Sequence, residues 1–172
     1  MLAVRRRGVA FSLGPLVAFA VLIATALGPA PAAPADDGRP ILSVDGAVTD
    51  GPVVFDLAAL TALGPVELST STPWTEGVRR FVGVPLAAVL DAAGAEGDSL
   101  RARALNDYAS AMPIADAIGR GALLVWEMDG RRLSVRDKGP LWILFNFDGD
   151  PAVRTDAYLA RSVWQLSRIT VE

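Results

Sequence analysis

The stretch Leu123-Leu124-Val125-Trp126-Glu127-Met128-Asp129-Gly130-Arg131-Arg132-Leu133-Ser134-Val135 decides the fold class. Two apolar runs, 123–128 and 133–135, flank an Asp-Gly step, whose residues accept the positive φ that a tight hairpin turn demands. The runs are therefore expected to pair antiparallel without a crossover helix. Downstream, Leu141 to Phe147 is a continuous apolar run with the pattern of a buried strand, and Val163 to Val171 alternates well enough to close a sheet.

The upstream half adds short helices to this strand-rich frame. Ile41 to Gly46 reads as a strand. Asp56 is placed to cap a helix whose Leu57, Leu60 and Leu63 share a face, and Gly64-Pro65 ends it. Val66 to Ser71 has strand alternation, and Thr72-Pro73-Trp74-Thr75-Glu76-Gly77 has loop composition around an aromatic residue. Pro85 at a first helical position opens a second helix carrying Leu86, Val89 and Leu90, ended by Gly94. Leu100, Ala102 and Ala104 alternate with polar neighbours up to Asn106-Asp107-Tyr108, and Pro113 to Ile118 predicts one more short helix. Hairpin-linked strands with a few short helices give an α+β fold with a mixed or antiparallel sheet, and not a Rossmann alternation.

The composition excludes several chemistries. The chain of 172 residues has no Cys and no His. A disulfide framework, a Cys nucleophile, a thiolate or imidazole metal site and a Ser-His-Asp triad are all absent. A net charge of −3 lacks the basic balance of a nucleic-acid binder.

Much of the apolar excess sits at the start. Arg5, Arg6 and Arg7 precede an uncharged run from Val9 to Leu27, and Ala30-Pro31-Ala32 and Ala33-Pro34-Ala35 are small-x-small sites. This is the pattern of a secretory signal peptide over residues 1–35, with 36–40 as a linker and 41–172 as the working domain. The alternative is an uncleaved membrane anchor, weakened by Gly14, Pro15 and Gly28. Cleavage after Ala35 removes three arginines and no acid, so the mature chain is more acidic than the total, periplasmic or secreted, and off the membrane.

Four segments in order carry a family resemblance: Phe81-Val82-Gly83-Val84-Pro85-Leu86; Leu105-Asn106-Asp107-Tyr108 with Met112-Pro113-Ile114 and Asp116-Ala117; Leu124 to Leu133; and Lys138-Gly139-Pro140-Leu141-Trp142. Together they resemble the oxidoreductase molybdopterin-binding domain of the sulfite oxidase family, most of all its small exported single-domain members. The resemblance implies that fold from about Pro40 to Glu172. It also implies a thiolate ligand to molybdenum just before the tryptophan segment. Here that position falls near Thr70 or Ser71, both hydroxyls, which do not replace a soft sulfur donor.

What the resemblance then implies is a pterin or molybdopterin-type ligand held without molybdenum. Trp74, Phe81, Tyr108 and Trp142 are candidate aromatic faces, with Thr75 beside Trp74 in the same loop. Asn106 and Asp107 are candidate partners for the ring's amidine-like edge, with Asp107 the expected acceptor. Arg79, Arg80 and Lys138 are candidates for a carbonyl or phosphate. Phe81 and Trp142 lie in apolar strands, and core packing is the better reading for both. Asn106-Asp107-Tyr108 also reads as a simple Asx turn, Arg79-Arg80 as a solvated pair, and Asp148-Gly149-Asp150-Pro151 as a turn. Some relatives lacking the thiolate look like exported pterin-binding regulators that report to a membrane-bound signalling protein. A molybdopterin-dependent oxidoreductase or subunit, joined to a redox partner, is the alternative, and a structural domain with a vestigial pocket is the third reading.

Overall fold

The computed structural model describes residues 38–172, so the leader expected over 1–35 and the first linker residues lie outside the described part. In chain order the described residues form β1 (Leu42–Gly46), β2 (Val53–Phe55), α1 (Leu57–Ala62), β3 (Val66–Ser71), β4 (Val78–Pro85), α2 (Leu86–Ala92), β5 (Ser99–Ala104) and β6 (Ala109–Pro113). They continue with α3 (Ile114–Gly119), β7 (Leu123–Met128), β8 (Arg131–Arg132), β9 (Trp142–Leu144), α4 (Asp156–Arg161) and β10 (Leu166–Val171).

The strands sort into two sheets. One has the order β2-β1-β10-β5-β6, with β1 parallel to β10 and the other pairs antiparallel. The other runs β3-β4-β7-β8, with β9 also paired to β7, all antiparallel. The fold is α+β, as the hairpin reading requires. The segment before β10 stitches the two sheets together. Trp164 bridges Trp142, the Ile143 N–H donates to the Val163 carbonyl at 2.9 Å, and the Leu166 N–H donates to the Leu141 carbonyl at 2.9 Å. That stitch fixes Trp164 beside β9.

Local chemistry accounts for most element boundaries. Asp56 caps α1 by accepting the Ala59 N–H at 2.7 Å, and Leu60 is the buried residue of its apolar face. Pro85 ends β4 and serves as the N-cap of α2, one position earlier than expected from its helix-opening chemistry. Gly83 sits at a register shift between β4 and β7, where a Cβ would meet the Leu124 carbonyl oxygen at 2.3 Å. Only a residue without a side chain permits that backbone approach.

Three differences from the sequence reading stand out. β6 pairs residue for residue with β5 from Arg103↔Ala109 to Ser99↔Pro113, although its Ala-Ser-Ala run carries no strong strand signal. The hairpin return after Gly130 is only two residues long. Leu133 still donates to the Trp126 carbonyl at 2.8 Å, but Ser134 then caps a 3₁₀ turn over Val135–Asp137. The run Leu141–Phe145 is buried throughout, while only Trp142–Leu144 form the ladder. Phe81, Trp142, Phe145, Leu124 and Ile143 sit at the centre of the core. Full burial of one such aliphatic or Phe side chain contributes about 1.5–3 kcal/mol.

Candidate functional site

The β3–β4 hairpin ends its ladder at Ser71↔Val78, and the six-residue connection places Trp74. Thr72 organises the turn. Its hydroxyl accepts the Trp74 N–H at 3.2 Å and shares a 2.8 Å hydrogen bond with the Thr75 hydroxyl, while its carbonyl accepts the Thr75 N–H at 3.3 Å. Thr75 is therefore a turn-closing residue. The indole of Trp74 meets Trp164, Trp142 and Phe147 edge to face, with ring centroids 5.4, 5.6 and 6.1 Å apart. Such contacts hold a ring orientation beyond what burial alone does. Phe81 supports Trp142 from the other side at 5.7 Å, and the Trp142 Nε1–H is satisfied by the Ser162 carbonyl at 3.2 Å.

A hollow of about 220 Å³ opens against Trp74. Trp74, Asn106, Tyr108, Leu159 and Trp164 line it, and Ser162 and Val163 close it. The Tyr108 hydroxyl donates to the Ala160 carbonyl at 2.8 Å, tying the β5–β6 turn to α4 across the hollow. Asn106 accepts the Tyr108 N–H through its Oδ1 at 3.2 Å. Three aromatic side chains, an aliphatic wall and one carboxamide suit a small planar heterocycle.

A second hollow of about 400 Å³ shares the Leu159 wall and has different chemistry. Ser71, Thr72, Asp148 and Arg154 line it. Both the N–H and the hydroxyl of Ser71 donate to the Asp148 carboxylate at 2.6 Å, and the Asp148 N–H donates to Thr70 Oγ1 at 3.1 Å. The Ser71 hydroxyl, then the Ser71 N–H, holds the Asp148 carboxyl below the ordinary carboxylate range. Arg154 donates through Nε to the Phe147 carbonyl and through Nη2 to the Asp148 carbonyl at 3.1 Å, leaving Nη2 3.8 Å from the carboxylate.

The remaining expected site residues go elsewhere. Phe81 and Trp142 are 0% exposed, so neither offers a face to a ligand; they are core residues beneath Trp74. Asp107 takes a left-handed backbone (φ 67°), and its carboxylate is 86% exposed and 3.9 Å from Arg103 Nε. It lies outside the lining of the aromatic hollow, and the edge position there belongs to Asn106. Arg79 faces a third hollow of about 510 Å³ with Arg131 and Arg132, and pairs with Asp129 at 3.1 Å. Arg80 pairs with Glu67 at 2.8 Å. Lys138 places its ammonium 5.8 Å from the centre of the Trp142 ring.

Sequence reasoning missed α4 and everything it brings. Leu159 separates the two hollows, and α4 is locked to α3 by Asp116, which accepts from the Tyr158 hydroxyl and from Arg161 Nη1. The Tyr158 hydroxyl, with Arg161, lowers the Asp116 carboxyl below its usual value against the opposing effect of burial. Arg161 also lies 5.0 Å from the Tyr158 ring centre. Asp156 in the first turn and Arg161 in the last were the available helix signals.

Residues 41–146 match the oxidoreductase molybdopterin binding domain. The chain belongs to that family. Phe147 onward, which carries Asp148, Arg154 and α4, lies beyond the matched residues. No curated protein matches the chain. Among solved structures it is similar to the sulfane dehydrogenase SoxCD from Paracoccus pantotrophus, at 18% identity and a TM-score of 0.57. That likeness covers 76% of this chain and 37% of the other, so the chain spans well under half of that protein, and the shared property is the fold.

The family implies a pterin-type ligand, and the donors present can be tested against one. The aromatic hollow offers ring faces and a carboxamide edge. At β3, by contrast, the available donors are the hydroxyls of Thr70 and Ser71, already engaged with Asp148, and no thiolate exists anywhere in the chain. Among the described residues no three His, Cys, Asp or Glu side chains gather as a metal site. The residues fit the organic ring and supply no sulfur donor for a metal.

Proposed function

We propose that this chain is an exported pterin-binding domain that performs no redox chemistry itself and reports ligand occupancy through a protein partner. The observation that carries the reading is the pairing at the end of β3. Ser71 is committed to the Asp148 carboxylate by two 2.6 Å hydrogen bonds, directly beside a hollow walled by Trp74, Tyr108 and Trp164. A carboxylate capping that position leaves a ring-binding cleft with no soft ligand for molybdenum. The apolar run and Ala-Pro sites at the start of the sequence support export to the periplasm or beyond. The partner contact rests on family resemblance: a binding domain without its own chemistry has to act through another protein.

The test uses the full chain expressed with its own leader and recovered from the exported fraction. A reduced pterin is expected to quench Trp fluorescence and raise the melting temperature. At 100 times its dissociation constant the ligand adds about 2.7 kcal/mol of stability. Absence of both effects overturns the binding reading. Stoichiometric molybdenum in the purified protein together with dye reduction by sulfite or a sulfoxide overturns the non-catalytic reading in favour of an oxidoreductase.

A further inference from the structure

The hollow of about 510 Å³ beside Arg79 shares no lining residue with either of the hollows walled by Leu159. Strand register builds it. Arg79 comes from β4, Met128 from β7, Arg131 and Arg132 from β8, and Asp129 from the turn that joins the last two strands. Because β7 pairs with both β4 and β8, Met128 stands opposite Phe81 on one side and Arg131 on the other. The segment after β8 adds Leu133 and Asp137.

The two carboxylates in this lining are already engaged. Asp129 Oδ2 accepts from Arg79 Nη1 at 3.1 Å, and its Oδ1 accepts the Arg80 N–H at 3.1 Å. The Arg80 N–H, and after it the Arg79 guanidinium, hold the Asp129 carboxyl below its usual range, so it is ionised at neutral pH. Asp137 Oδ2 accepts the Ser134 hydroxyl at 2.7 Å. Two donors are left over. The Arg131 side chain has neither an ion pair nor a hydrogen bond among the described residues, and Arg79 Nε is buried without a hydrogen-bond partner. A buried donor without an acceptor costs free energy that an incoming oxygen restores. Beneath these donors the surface is apolar, with Met128 half-buried and Leu133 buried.

We propose that this hollow binds a small organic acid as its monoanion, the carboxylate taking the free donors of Arg131 and Arg79 Nε and the aliphatic part lying on Met128 and Leu133. The donor set decides the class. A guanidinium offers a planar fork that a carboxylate meets with two oxygens at once. A dianion such as phosphate gains the same donors but brings a second negative charge beside Asp129 and Asp137, and like charges at close range repel. The apolar base adds what an inorganic ion cannot use, the burial of an alkyl chain. The site stands apart from the cleft beside Trp74, and its occupancy does not depend on a pterin being bound there.

Isothermal titration of the full chain, recovered from the exported fraction, tests this with butyrate, acetate and inorganic phosphate at matched ionic strength and above the second ionisation of phosphate. Butyrate is expected to bind at a single site, tighter than phosphate and about fourfold tighter than acetate, the gain from burying roughly one methylene. Arg131→Gln is expected to weaken butyrate about tenfold, as the loss of a charge-assisted hydrogen bond does. Its melting temperature should match wild type, because Arg131 holds no partner in the free protein. Arg136→Gln removes a nearby exposed cation outside the lining and should keep wild-type affinity. Absence of saturable butyrate binding, tightest binding of phosphate, or an Arg131→Gln affinity equal to wild type overturns the site. Equal weakening in both variants also overturns it, since the effect is then one of net charge alone.

Discussion

The hollow beside Trp74 and the hollow beside Arg79 were expected to serve one ligand, and the structure separates them. Around Trp74 the apolar surface stays open and faces a carboxamide. Around Arg79 the cations are largely answered from within: Arg79 pairs with Asp129, whose carboxylate also accepts the Arg80 N–H at 3.1 Å, and Arg80 reaches Glu67. Among the described residues, Arg79 Nε is buried without a hydrogen-bond partner. The lesson is that an arginine beside a family motif gains meaning only once its counter-ions are known. A charged side chain at a β-hairpin turn finds an opposite charge locally, whereas an aromatic ring held half-buried by a turn has no such local sink and leaves surface for a ligand.

The largest effect that can break this contrast is at Trp74. Trp74→Ala removes three edge-to-face contacts together with the hollow's wall, and is expected to cost about 2–3 kcal/mol of stability as a partly buried large-to-small change. Chemical denaturation measures it, and pterin binding should be lost as well. Trp74→Phe should restore most of the stability and part of the binding. A Trp74→Ala chain that binds as tightly as wild type would remove the aromatic hollow from the site.

The next effect is at Asp116, which holds α4 and so the Leu159 divider. Asp116→Asn is expected to cost about 1–2 kcal/mol through two weakened charge-assisted hydrogen bonds. The wild-type contribution is pH-dependent with a definite sign. The folded carboxyl titrates below its unfolded value, so the stabilisation is present above the ordinary aspartate range and is lost as pH falls through the folded value. Melting curves from pH 6 to pH 2 should show a wild-type decline that the Asn variant shares less. Parallel curves would mean that the clamp does not hold the wall.

Legibility followed how local the cause was. The Asp56 cap, the Asp129-Gly130 turn and the buried run at 141–145 are each dictated by a few adjacent residues, and each was readable. β6 was not, because Ala109-Ser110-Ala111 gains its strand only by pairing with β5. α4 escaped for a similar reason: it is six residues long, and tertiary contacts through Tyr158 and Arg161 hold it, not its own propensity. In the candidate site, Trp74, Asn106 and Tyr108 could be named because loop aromatics and Asx turns advertise exposed surface. Asp148 and Arg154 could not, since the link from Asp148 to Ser71 spans 77 positions.

Two smaller effects sharpen the contrast. Arg79→Gln should leave affinity for an uncharged pterin within about twofold and stability within about 1 kcal/mol, the usual range for a half-exposed ion pair. A tenfold loss of affinity would join the arginine hollow to the ligand site and make Arg79 Nε a ligand donor.

The smallest expected effect is at Asp107, the residue that sequence alone favoured as the ring's acceptor. Its left-handed backbone turns it away from the neighbouring Asn106 and Tyr108, both of which line the aromatic hollow, and its contact with Arg103 is long and solvated. Asn tolerates the same left-handed conformation, so Asp107→Asn removes the charge without disturbing the turn. Binding and melting temperature should both be unchanged within error, while Asn106→Ala, which deletes the carboxamide at the hollow's edge and the Asx bond to Tyr108, should weaken binding about tenfold. The reverse order would put the acceptor back at Asp107 and require the β5–β6 turn to reorganise when ligand enters. Equal, null results at both positions would leave the ring held by its faces alone, and selectivity among heterocycles of the same size would then be weak.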